Sequence, residues 1–72
     1  MTKKFDARPL VGEKYRDNIG KKIYTVEHVR PKSVDLLDEQ GGAQTWFMDA
    51  FMTLANAGIM ELVESKHRGT FA

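Results

Sequence analysis

Residues 21–64 read KKIYTVEHVRPKSVDLLDEQGGAQTWFMDAFMTLANAGIMELVE, and the fold is decided there. In Lys22–Arg30, β-branched and aromatic residues dominate. Tyr24 and Val26 share one face of a strand because side chains alternate with period two. Val29 breaks that parity, and a bulge near Glu27-His28 returns it to the same face. Pro31 has no N–H and ends the strand. Ser33–Asp38 alternates again, with Val34 and Leu36 inward. Gly41-Gly42 tolerates positive φ and marks a hairpin turn between two such runs. Gln44–Phe47 is the returning strand. The period then changes: Phe47, Phe51, Leu54 and Ala55 recur at helical spacing, which makes Phe47 and Phe51 the expected core pair. Asp49 is the expected N-cap of a helix of two to three turns. Gly58 suits the left-handed position after its end, with Ile59 packing back on Leu54. Ile59–Glu64 is the closing strand.

The flanking segments are weaker in signal. Residues 1–10 are polar and basic without periodicity, and Pro9 disfavours helix at Arg8. They read as a flexible basic arm. Val11–Arg16 is a weakly signalled first strand, and Asp17-Asn18-Ile19-Gly20 carries turn residues. Residues 65–72 read as a disordered tail, which leaves one domain over residues 11–64. A chain of 72 residues buries a modest core. It holds no cysteine, so disulfides and thiolate metal sites are excluded, in keeping with a reducing compartment. No apolar run approaches the roughly 20 residues that span a bilayer, and the N-terminus lacks the apolar stretch of a signal peptide. The expectation is a cytoplasmic, soluble monomer.

The pattern of four to five antiparallel strands with one short helix before the last resembles the small SH3-like barrels, giving an α+β, mainly β, fold. The resemblance is carried by Tyr24-Thr25-Val26 with Val29, by Val34-Asp35-Leu36, by Gly41-Gly42 before Trp46, and by Phe51 with Met60-Glu61-Leu62. In the typical barrel a single 3₁₀ turn precedes the last strand, whereas the insert here runs from Asp49 to Ala57. In size and layout the chain is also similar to small phage-encoded proteins that bind host machinery, some of them inhibitors of bacterial RNA polymerase. That resemblance implies a non-catalytic regulator that alters transcription by occupying a larger protein.

Charge and chemistry narrow the function. Residues 1–30 carry eight basic and four acidic side chains, and residues 31–72 carry three and six. Such polarity points to charged partners. His28 and His67 are far apart and no metal-ligand spacing occurs, so no metal or other cofactor is expected. Ser33 and His28 can come near each other across a hairpin, but such pairs arise by chance in almost any small domain; Gly41-Gly42 feeds a strand rather than a helix, and no catalytic motif is present. An enzyme is not expected. Protein binding is the leading expectation. Trp46, Phe47, Met48, Phe51 and Met52 fall within seven positions, and a strand with a short helix cannot bury them all. With Phe47 and Phe51 inside, Trp46, Met48 and Met52 are the candidate contacts, because Trp anchors interfaces and Met adapts to partners. The arm adds Lys3, Lys4, Phe5 and Arg8. The alternative is nucleic acid: Lys21, Lys22, Tyr24, Arg30 and Lys32 combine cations with an aromatic, as a stacking platform requires. Against it stands the absence of Lys and Arg between Lys32 and Lys66.

Overall fold

The computed structural model describes residues 8–65. These residues form five strands, β1 (Lys14–Asp17), β2 (Lys22–Val29), β3 (Ser33–Asp38), β4 (Ala43–Phe47) and β5 (Met60–Glu64), and one helix, α1 (Met48–Asn56), between β4 and β5 in sequence. They form a single antiparallel sheet in the order β4-β3-β2-β1-β5. The fold is α+β, mainly β, with the helix before the last strand, as the sequence pattern implied. Among the described residues, hydrogen bonds do not close the sheet, and β4 and β5 are its two edges. Helix α1 packs against β3, β4 and β5.

The register follows from where apolar side chains must go. Tyr24, Val26, Val34 and Leu36 are buried, with Tyr15 of β1 and Met60 of β5 beside them. Opposite β3, Val26 faces Leu36 and His28 faces Asp35, so Glu27 is the extra residue of a β-bulge. The bulge restores Val29 to the inner side, where it packs against the core. A second register shift opposes Lys14 to Glu64 and Tyr15 to Leu62, leaving Val63 as the bulged residue of β5.

The turns are set by two acidic side chains. Asp17 Oδ1 accepts from the backbone N–H of Ile19 at 2.9 Å and Gly20 at 3.0 Å. Asp38 Oδ1 does the same for Gln40 at 2.9 Å and Gly42 at 2.7 Å. Gly41 has φ 87°, a conformation costly for any residue with a Cβ.

Helix α1 ends as its sequence foretold. The Gly58 N–H donates to Ala55 O at 3.1 Å and the Ile59 N–H to Leu54 O at 2.9 Å. With Gly58 at φ 80° this is the Schellman arrangement. Its start differs. Phe47, not Asp49, holds the N-cap position, without a side-chain cap, and Asp49 lies in the first turn, where its charge suits the helix dipole. The Phe47–Phe51 core pair is likewise corrected. Phe47 is 79% exposed, while Met48, Phe51 and Ala55 form the buried face of the helix.

The boundaries of the domain also move. Pro9 is buried, and the Arg8 guanidinium donates to Arg30 O at 2.9 Å and Pro31 O at 2.6 Å. Residues 8–10 therefore belong to the fold rather than to an arm. Ser65 donates its hydroxyl proton to Glu13 Oε2 at 2.7 Å and is part of the fold too. The first strand begins at Lys14 rather than Val11. Val11 and Gly12 (φ 92°) form a turn closed by the Glu13 N–H donating to Leu10 O at 3.1 Å.

Candidate protein-binding surface

Where β4 runs into α1, strand parity puts Trp46 on the inner face with Val34 and sends Phe47 outward with Ser33. Trp46 is half-buried, its ring edge-on to Tyr24 at 5.8 Å and to Phe51 at 6.2 Å. Phe47 projects beside the β2–β3 turn. Pro31, Lys32, Phe47, Asp49 and Ala50 line an open groove of about 600 Å³. Three contacts fix this corner. The Met48 N–H donates to Lys32 O at 2.8 Å, the Arg8 guanidinium holds the Arg30 and Pro31 carbonyls, and the Arg30 N–H donates to Ser33 O at 2.8 Å. An exposed aromatic ring is thus mounted on a backbone tied from three sides, with Lys32 at its rim. Lys32 forms no ion pair among the described residues.

The exposed sheet face next to the groove carries a charged network. Asp35 accepts from Arg30 at 2.8 Å and from the Thr45 hydroxyl at 2.8 Å, with His28 Nδ1 at 3.5 Å. The Arg30 hydrogen bond, helped by Thr45, holds the Asp35 carboxyl below its ordinary 3.8. On the same face, toward the β5 edge, Arg16 donates to Glu61 at 2.6 Å and, with Asn18, lowers that carboxyl below its ordinary 4.5. Both groups are depressed in the folded state. Their stabilising contribution is complete above the ordinary values and is lost as pH falls through the folded ones. Thermal unfolding is expected to move to lower temperature as pH drops below 4.5 and then 3.8. Asp35→Asn should flatten that acid limb. An unchanged limb in the variant would show that Asp35 does not contribute.

The structure brings only some of the sequence candidates together. Met48, expected at the surface, is 3% exposed and faces the core. Trp46 and Met52 are half-buried against that core. Arg8 lies at the groove corner, whereas Lys3, Lys4, Phe5 and His67 fall outside the described residues. The nucleic-acid candidates do not form one surface. Tyr24 is 4% exposed and cannot stack on a base. Lys21 and Lys22 stand at the start of β2, Lys22 beside Asp38 and Glu39. Arg30 and Lys32 lie past its far end, roughly 25 Å away at about 3.3 Å per residue.

Phe47, Pro31 and Ala50 were not among the sequence candidates. The signal for Phe47 was available in parity: it neighbours Trp46 in a strand, so only one of the two can face inward. Among the described residues, no group of three or more His, Asp or Glu side chains is placed to hold a metal, and no helix is long and apolar enough to cross a membrane. The chain matches no protein-family model, no curated protein and no solved structure in the comparisons made.

Proposed function

We propose that this chain is a small non-catalytic regulator of the cytoplasm that acts by docking on a larger protein and occluding it. The observation that carries the reading is Phe47, 79% exposed on a rigid corner. A large aromatic held outward by strand parity gains its burial only against a partner, and aromatic anchors of this kind dominate interface energetics. Lys32 at the groove rim, in no ion pair among the described residues, favours an acidic partner surface and would speed encounter. The sharpest form of the proposal takes bacterial RNA polymerase as the partner, with altered transcription as the result. That form draws on the likeness in layout to small phage-encoded inhibitors.

The test is binding of the tagged chain to purified bacterial RNA polymerase, together with pull-down from nuclease-treated lysate. Phe47→Glu is expected to weaken capture by at least about 2 kcal/mol, roughly thirtyfold in Kd. Its thermal unfolding should match the wild type, because the side chain is already in water. Equal capture by wild type and Phe47→Glu would remove the groove from the account. Capture that disappears on nuclease digestion would return the function to nucleic acid.

A further inference from the structure

The two edges of the sheet are not alike. Strand β5 carries Glu61 and Glu64 and a bulge at Val63, features that discourage pairing with another strand. Strand β4, Ala43-Gln44-Thr45-Trp46-Phe47, has no charge, no proline and no bulge, and pairs with β3 in unbroken register. Uncharged sequence extends on both sides, from Gln40 to Met48.

Its free backbone groups follow from the ladder. The Asp38 N–H donates to Gly42 O at 2.9 Å and the Met48 N–H to Lys32 O at 2.8 Å. Alternation between these ends directs the backbone of Gln44 and Trp46 to β3, and that of Ala43, Thr45 and Phe47 away from it. The outward side chains of the same three residues are exposed.

We infer that β4 pairs antiparallel with β4 of a second copy of this chain, about a two-fold axis at Thr45. Each Thr45 N–H donates to the Thr45 carbonyl of the other copy, and each Phe47 N–H donates to the Ala43 carbonyl of the other copy. The Phe47 carbonyl, which opens helix α1, is not needed. Three features of the strand make it complementary to itself. Phe47 of one copy lies over Ala43 of the other, a residue small enough to admit it, with half-buried Leu37 next to Ala43 on the same face. No like charges meet along the strand. The Lys32 end of one copy meets the Asp38–Glu39 end of the other, so the charges flanking β4 are opposed in sign.

The dimer covers Phe47. It therefore withholds the docking corner at high concentration and releases it on dilution. The pairing itself does not depend on the proposed function. An edge of five residues belongs to the small interface class, under about 1,200 Å² in total, so the association is weak and reversible.

Sedimentation of the full chain over increasing concentration tests the pairing, with amide exchange read alongside. The average mass is expected to rise from 8.2 kDa for one copy toward twice that. Amide protection at Thr45 and Phe47 should rise with concentration, while that of Gln44 and Trp46 stays constant. Thr45→Pro removes an outward N–H, which an edge strand tolerates, and should stay monomeric with a normal unfolding transition. Phe47→Glu, altered only in an exposed side chain, should be monomeric too. A wild type that stays at 8.2 kDa up to its solubility limit would overturn the inference, as would a dimer that persists in both variants. Partner binding separates this inference from the proposed function: Thr45→Pro keeps Phe47 and Lys32 and should still capture the partner, whereas Phe47→Glu should not. Capture by a wild type that never dimerises would leave the function standing and sink the dimer alone.

Discussion

Phe51→Ala is expected to remove most of the stability of this domain. Phe51 is fully buried, and its ring meets Tyr15 edge-on at 4.9 Å and Trp46 at 6.2 Å. It is the side chain by which α1 is seated against the sheet, between strands that do not bond each other. Truncating a buried Phe costs about 3–5 kcal/mol, through lost transfer energy and the cavity left behind. At about 0.05–0.15 kcal/mol per residue, a chain of 72 residues has roughly 4–11 kcal/mol in all. Denaturant unfolding monitored at Trp46 should show the transition moved close to zero denaturant. Phe47→Ala, four residues away on the exposed corner, should change stability by no more than about 0.5 kcal/mol. The contrast between the two is the measurement. If Phe51→Ala costs less than about 1 kcal/mol, the helix does not depend on this contact and the described core is wrong.

The same two phenylalanines show how far sequence reasoning reached. Helical spacing ties Phe47 to Phe51, and strand alternation opposes Phe47 to Trp46; both rules apply to the one residue at the junction. The strand rule prevails because the β3–β4 ladder runs through Ser33–Phe47 and on to the Met48–Lys32 bond. Met48 then takes the inner helical position, three before Phe51 and seven before Ala55. Features set by a few adjacent residues were legible: the bulge at Glu27, the Gly41-Gly42 turn, the Gly58 ending of the helix. The nucleic-acid candidates lie apart for the complementary reason. Lys21 to Lys32 are close in sequence, but an extended strand carries its two ends apart. The alternation that identified Tyr24 as a strand residue also buried it.

Glu13 is the residue that no local rule could place, and it supports the second large effect. Nothing in Val11-Gly12-Glu13-Lys14 marks a carboxylate for burial, yet Glu13 is fully buried. Its Oε1 accepts from the Leu10 N–H at 2.8 Å and the Tyr15 hydroxyl at 3.3 Å, and its Oε2 accepts from the Ser65 hydroxyl at 2.7 Å. Its backbone joins the same corner, donating to Leu10 O and accepting from the Val26 N–H at 2.9 Å. One side chain thus ties the segment before β1, the core tyrosine and the end of β5, residues up to 52 positions apart. Glu13→Ala removes an acceptor from three donors, the buried Tyr15 hydroxyl and the partly buried Leu10 N–H and Ser65 hydroxyl. At about 1 kcal/mol for each hydrogen bond removed, a loss of about 3 kcal/mol is expected. Glu13→Gln keeps the volume. Its amide oxygen can still accept from Leu10 and Tyr15, and its amide N–H can donate to the Ser65 oxygen. In these three contacts that variant loses the assistance of the charge, and it should cost about 1 kcal/mol. Chemical unfolding of the two variants gives the ranking, and amide exchange at Leu10 locates the damage. Equal losses in both would mean that the negative charge, rather than the hydrogen-bond acceptors, holds the corner. A loss below about 1 kcal/mol in Glu13→Ala would mean that the two chain ends are secured elsewhere, and that the buried carboxylate is tolerated rather than required.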